Sequence, residues 1–71
     1  MAELQRAVGA RIRELRTARG WSQEAFADIC EIHRSLMGEI ERGEVDVAIS
    51  TLQKLGKGLD MTVSALLKGV V

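Results

Sequence analysis

Four times after residue 20, the sequence repeats one short pattern that marks the start of a helix. An apolar residue precedes a capping position, and a second apolar residue follows the cap by four positions. This spacing is typical of the hydrophobic staple, in which the residue before the N-cap packs on the fourth helical residue. The four sets are Trp21/Ser22/Phe26, Ile32/His33/Met37, Val47/Ala48/Leu52 and Met61/Thr62/Leu66. The pattern therefore predicts four helices, each beginning just after its cap.

A fifth helix is predicted at the N-terminal end of the chain. Its apolar stripe consists of Leu4, Val8, Ile12 and Leu15. This periodicity indicates a helix that runs to about Arg19, and Gly20 is suited to ending it. No strand-like alternation of useful length is present. We therefore expect an all-α fold of five helices in one domain over residues 1–71, with helices two and three joined across residues 30–32 as a helix-turn-helix.

The fourth helix contains two glycines that oppose it. Gly56 and Gly58 each cost about 1 kcal/mol relative to alanine inside a helix. Two alternatives follow: the surrounding fold supports this helix, or the helix ends near Lys57.

The charge of the chain is unevenly distributed, although it sums to zero at pH 7. Residues 1–20 carry five arginines and two glutamates, whereas residues 21–46 carry two arginines and seven acidic residues. A neutral chain does not indicate nucleic-acid binding as a basic domain would. The single cysteine cannot form an intramolecular disulfide, and no segment reads as a signal peptide or a membrane span, so we expect a cytoplasmic protein without a membrane partner.

The third predicted helix has two unlike sides. At about 100° per residue, Met37 and Ile40 share a side with His33 and Glu41. The opposite side carries Arg34, Ser35, Gly38, Glu39 and Arg42. Such a division suits a recognition helix, which is anchored by one face and reads the major groove with the other. Read alone, such a polar side is usually an ordinary solvated face, and it is the family resemblance that favours DNA reading.

Motifs over most of the chain resemble a known family. The segments GARIRELRTARGWSQEAFADICEIHRSLMGEIERG and LQKLGKGLDMTVSALL contain R-x-x-x-G, then S-Q, then E-x-G, then a leucine-rich pair of helices. This order is similar to the phage-repressor, or Xre-type, helix-turn-helix family with its lambda-repressor-like domain. The HRS…IERG segment further resembles the controller proteins of restriction–modification systems.

The resemblance implies a dimeric transcriptional regulator that binds a two-fold-symmetric operator. It has no implied enzyme activity, cofactor or metal, and its partners are double-stranded DNA, a second copy of the chain and, as a further candidate, RNA polymerase. The implied DNA-binding residues are Gln23, His33, Arg34, Ser35, Leu36, Gly38, Glu39 and Arg42. Among these, Gln23 matches a backbone contact, while Leu36 and Arg42 match positions at the groove edge. Arg16 and Glu41 match an internal salt bridge, and the implied dimer interface contains Met61, Val63, Leu66 and Leu67.

The chain departs from the family pattern at two places. Relatives usually have glycine where this chain has Glu31, so either Glu31 takes a left-handed backbone at some cost or the turn differs. Acidic residues, Glu44 and Asp46, follow the E-x-G where basic residues are usual, and they should weaken contacts with phosphates. Arg11, Arg13 and Arg19 are candidates for compensating contacts.

Other readings of single residues are weaker. Cys30 and His33 supply two potential metal ligands where a structural zinc site needs four, so we expect Cys30 to pack in the core. Trp21 could stack on a base, but its staple position favours packing on Phe26. The rival function is a protein-interaction module, such as an antitoxin or adaptor, that uses the acidic segment to bind a partner protein.

Overall fold

The computed structural model describes residues 2–70 and contains five helices in that part of the chain. They are α1 (Ala2–Ala18), α2 (Gln23–Cys30), α3 (Arg34–Glu41), α4 (Ile49–Leu59) and α5 (Val63–Leu66). The all-α, five-helix prediction is confirmed, and no strand occurs between residues 2 and 70. None of the helices described is long and apolar enough to cross a membrane. Met1 and Val71 lie outside the described residues.

All four predicted N-caps are in place. Ser22 and Thr62 each accept a hydrogen bond from the backbone N–H three residues later, at 3.0 Å. Ala48 makes no side-chain cap bond, so α4 begins without that stabilisation. The first staple is formed by Trp21 and Phe26, whose stacked ring centroids lie 5.8 Å apart. Trp21 therefore packs on its own chain, as its staple position predicts.

Left-handed residues follow four of the helices, and the one after α3 is Gly43, with φ of 72°. Gly20, with φ of 73°, follows α1, as predicted from its C-cap position. Glu31 ends α2 at φ 56° and ψ 43°, and its N–H bonds the carbonyls of Ala27 and Asp28. The turn therefore keeps the left-handed geometry and Glu31 bears the strain of a side chain there. Asp60 takes the same conformation after α4, at φ 57°.

All five helices contribute side chains to one core. It contains Ile12, Phe26, Ala27, Cys30, Ile32, Met37, Ile40, Leu55, Leu59 and Leu66. Leu4, predicted to belong to the apolar stripe of α1, is instead 50% exposed, because the core does not extend to the first turn.

Helix α4 runs through both of its glycines to Leu59, so tertiary support is the alternative that the structure shows. A Cβ at Gly56 would lie 2.7 Å from the carbonyl oxygen of Met61, and a Cβ at Gly58 would meet the Cys30 sulfur. These positions admit no side chain because the chain crosses directly over them. The helix-propensity cost is thus offset by close packing.

Arg11 of α1 and Arg19, which directly follows α1, bind the carbonyl ends of other helices. Arg11 donates from Nε and Nη2 to the carbonyls of Leu66 and Ala65 at 3.0 and 3.1 Å. Arg19 donates to the Leu59 carbonyl at 2.8 Å. Cations at these ends interact favourably with the helix dipole. Arg11 and Arg19, considered above as compensating DNA contacts, are therefore committed to holding α4 and α5 in place.

Candidate nucleic-acid interface

Helix α3 is anchored along one side by the core. Met37 and Ile40 are 0% and 1% exposed, and Leu36 is half-buried against the same core. Leu36, predicted to lie near the groove edge, therefore also packs on the domain. Arg34 and Ser35, at the first turn, are exposed. The anchored side fixes α3 while its first turn faces solvent.

The N-terminus of α3 is capped by His33. Its Nδ1 accepts a hydrogen bond from the backbone N–H of Ser35 at 3.3 Å. The angular pattern placed His33 beside the core, but the structure shows it exposed because it precedes the first helical turn. With Nδ1 accepting, the neutral ring carries its proton on Nε2. A hydrogen-bond donor is therefore available beside Arg34.

A buried carboxylate ties α1 and α2 to the end of α3. Glu41 accepts from Arg16 Nε at 2.8 Å and Arg16 Nη2 at 3.0 Å, and also from Gln23 Nε2 at 3.2 Å. The side chains of Arg16 and Glu41 are only 12% and 3% exposed. The third guanidinium nitrogen of Arg16 donates to the Trp21 carbonyl at 2.9 Å. This arrangement satisfies the buried charges. The side-chain amide of Gln23, predicted to contact the DNA backbone, here donates to Glu41 of the same chain.

Arg42 lies over the surface of α3 at its C-terminal end. It donates from Nε and Nη2 to the two carboxylate oxygens of Glu44, at 2.9 and 3.1 Å. This pair raises the pKa of Arg42 and lowers the pKa of Glu44, chiefly through the hydrogen bond between them. Both side chains remain more than half exposed.

Gly38, predicted as a base-facing position, is buried. The Nη1 atom of Arg42 and the Oε1 atom of Gln23 lie 2.9 and 3.4 Å from where a Cβ of Gly38 would be. The two side chains fold over the glycine because nothing else occupies that space. Glu39, predicted to be base-facing, is half-buried.

A second exposed ion pair crosses from α2 to α3. Arg34 Nη1 lies 3.5 Å from Glu24 Oε2, and both side chains are about two-thirds exposed, at 65% and 69%. The sequence alone does not identify Glu24 as the partner of Arg34, or Glu44 as the partner of Arg42. Neither pair has the three- or four-residue spacing within one helix that would signal it.

The predicted dimer face contains one error. Leu66 is 0% exposed and belongs to the core, so it cannot contact a second subunit. Met61, Val63 and Leu67 are half-buried. Leu67 lines an apolar groove of about 290 Å³ between the start of α1, residues 46–47, α4 and the end of α5. The lining residues are Leu4, Gln5, Val8, Asp46, Val47, Leu52 and Leu67.

The one cysteine is an interior residue. Cys30 is 3% exposed, and burial raises the pKa of its thiol to about 11. The core position predicted for Cys30 is confirmed. Within residues 2–70, no group of three or more potential metal-binding side chains comes together.

Comparison with known proteins places this geometry among DNA-binding regulators. A family model described as helix-turn-helix domain matches residues 7–67. Control protein C.SmaI of Serratia marcescens is 41% identical over 56 residues, which cover 79% of this chain and 67% of that protein. The transcriptional regulator SutR of Escherichia coli K12 is 31% identical over 94% of this chain, but the match spans only 38% of SutR.

A solved structure agrees with these sequence matches. The restriction-modification controller protein C.AhdI from Aeromonas hydrophila superposes with a TM-score of 0.84 and 40% identity. The match covers 87% of this chain and 94% of C.AhdI. The relatives named here are regulators and controller proteins rather than enzymes.

Proposed function

Because the chain belongs to the helix-turn-helix domain family, we propose that it is a sequence-specific transcriptional regulator that inserts α3 into the major groove of DNA. The supporting observation is the division of α3. Its Met37 and Ile40 side is fixed in the core, while Arg34 and Ser35 are exposed at the first turn. The major groove is wide enough for a helix, and arginine can donate to the two acceptors of a guanine.

Arg34 is the proposed base-reading residue, with Ser35 beside it. The Glu24 partner of Arg34 does not prevent this role, because an exposed pair at 3.5 Å that lacks bidentate hydrogen bonds contributes little free energy and can exchange. The Nε2–H group of His33 is positioned for a phosphate, and the free N–H groups at the start of α2 offer a second phosphate contact beside Gln23. Phosphate contacts would fix the register while Arg34 reads sequence.

We propose further that two copies bind together, through the apolar groove and the adjoining surface of α4 and α5. Leu67 and Leu4 line the groove, and Ile49 at the start of α4 is 75% exposed. An exposed apolar surface on a small domain marks an interaction site. A two-fold dimer would read half-sites about 34 Å apart, which supplies more specificity than one helix can.

The acidic segment gives little support to the rival function of a protein-binding module. Three of its acids, Glu24, Glu41 and Glu44, are paired with arginines of the same chain. Arg34 and Arg42 are already counted in the charge of the segment, so the pairing of the buried Glu41 with Arg16 lowers that charge by one unit. Enzymatic activity is not part of the proposal, since the buried Cys30 is poorly suited to act as a nucleophile.

Selection from a random duplex pool by the purified protein tests this function. The recovered sequences are bound again at two salt concentrations. We expect a symmetric motif with half-sites about ten base pairs apart, and an affinity that falls steeply with salt as counterions are released. Failure of a folded, dimeric protein to enrich any motif would contradict the proposal and favour a protein partner.

A further inference from the structure

The guanidinium of Arg42 lies in the space above Gly38 and is hydrogen-bonded to Glu44. Glu44 binds Nε and Nη2, which leaves Nη1 with its two N–H groups. Nη1 lies over the helix where a Cβ of Gly38 would otherwise be, at 2.9 Å from that position. Gly38 follows Arg34 by one helical turn, on the same side of α3. Two independent features therefore set the position of Arg42: the absence of a side chain at Gly38 and the two hydrogen bonds to the Glu44 carboxylate.

We propose that Gly38 and Glu44 are positioning residues that present Arg42 Nη1 to the DNA while Glu44 neutralises the charge of Arg42, so that the arginine favours the operator over random DNA. This inference rests on the proposed function. It assigns a specificity role to a glutamate that would otherwise only repel phosphates.

Pairing with a carboxylate changes how an arginine binds DNA. An unpaired arginine is attracted by phosphates of any sequence, and that attraction supplies most non-specific affinity. An arginine that is hydrogen-bonded through two nitrogens to one carboxylate has lost most of this attraction. Its remaining N–H groups still point in fixed directions and can donate hydrogen bonds. The operator complex uses Nη1 with the Arg42–Glu44 pair intact. A random duplex can gain from Arg42 only by separating it from Glu44.

The substitution Glu44→Gln tests the carboxylate. Affinities are measured by fluorescence anisotropy on a duplex carrying the selected motif and on a scrambled duplex, each across a salt series. We expect affinity for the scrambled duplex to rise about threefold, with a salt slope steeper by about 0.9, while affinity for the motif does not rise. The ratio of the two affinities then falls at least about threefold.

Asp46→Asn is the matched control. It removes the same charge two residues away, and Asp46 accepts a hydrogen bond from Gln5 rather than from an arginine. Because Asp46 also borders the apolar groove, sedimentation first verifies that this variant keeps the oligomeric state of the wild type. We then expect it to raise both affinities by the same factor. If Glu44→Gln also raises both equally, or changes neither, Glu44 is only a repelling charge or is inert and the proposal is overturned.

The substitution Gly38→Ala tests the space over the helix. The added methyl would displace mainly the solvent-exposed guanidinium of Arg42 and would contact no backbone of another element, and alanine favours helix more than glycine does, so the melting temperature should not fall. We expect the affinity ratio to fall about threefold in the wild-type background and to be unaffected by the same change in an Arg42→Ala background. An equal loss in both backgrounds would mean that the methyl meets DNA directly, and would overturn the role assigned to Gly38.

Different results would contradict the proposed function and the positioning role of Glu44. If the unmodified protein selects no motif, the proposed function fails and this inference fails with it. If it selects a motif and Glu44→Gln matches Asp46→Asn, only the positioning role is lost.

Discussion

Replacing Arg16 with methionine should cost a large part of the stability of the whole domain. The substitution leaves the Glu41 carboxylate, 3% exposed, without the cation that binds both of its oxygens. Leaving one charge of a buried pair uncompensated costs about 3–5 kcal/mol. At about 0.05–0.15 kcal/mol per residue, a chain of 71 residues has about 4–11 kcal/mol in total. The variant should therefore lie close to its unfolding transition at ordinary temperatures.

Urea and thermal unfolding followed by circular dichroism at 222 nm measure this loss. A change of 1 kcal/mol shifts the melting temperature of a domain this size by about 4–8 °C, so we expect a decrease of at least about 12 °C. Arg13→Met is the matched control, because Arg13 is exposed on the same helix and its loss should change stability by less than about 0.5 kcal/mol.

A second substitution separates the buried charge from lost packing. Glu41→Gln in the Arg16→Met background removes the uncompensated carboxylate while keeping an oxygen that can accept from Gln23. We expect the double variant to be more stable than Arg16→Met alone. If Arg16→Met costs less than about 1 kcal/mol, or the double variant is no better, then Glu41 is solvated or protonated at little cost and the reasoning is refuted.

Three further expectations follow from burial and packing. Leu67→Asp should remain folded, sediment as a monomer and bind DNA weakly. Leu66→Asp should instead unfold the protein, because it places a carboxylate in the core. A folded, dimeric Leu66→Asp variant would contradict the assignment of Leu66 to the core. Gly9→Ala should lower the free energy of unfolding by about 1–3 kcal/mol, although alanine has the better helix propensity, because the alanine Cβ would lie 2.7 Å from the Glu41 carbonyl oxygen. Unchanged urea unfolding would contradict this close approach of α1 to the end of α3. Cys30, with a thiol pKa near 11, should resist a maleimide at pH 8 until urea unfolds the chain, and rapid labelling of the native protein would show that the core opens readily.

Local signals in the sequence predicted the helices well. Each staple involves residues within one turn and its flank, so the N-caps Ser22, His33, Ala48 and Thr62 could be identified without tertiary information. The end of α4 could not, because whether a glycine weakens a helix depends on what crosses over it. At Gly56 that is the Met61 carbonyl, which local propensity does not describe.

The candidate site shows the same limit. The resemblance placed Arg34 on the exposed side of α3, but the partners of Arg34 and Arg42 depend on how the loop and α2 fold back. The four-residue α5 is too short for periodicity to separate an inward leucine from an outward one. Its staple with Met61 nevertheless assigns Leu66 to the core, a signal that the expectation of an apolar dimer face overrode.

The most direct test of DNA reading by α3 compares the wild type with Arg34→Ala on the selected duplex and on a set of its single-base variants. We expect the substitution to cost about 1–3 kcal/mol on the selected duplex and to abolish discrimination at one base pair in each half-site, as loss of a base contact should. An equal loss of affinity on every sequence, with discrimination intact, would show that Arg34 binds only phosphate, and would contradict the claim that α3 reads the operator through this residue.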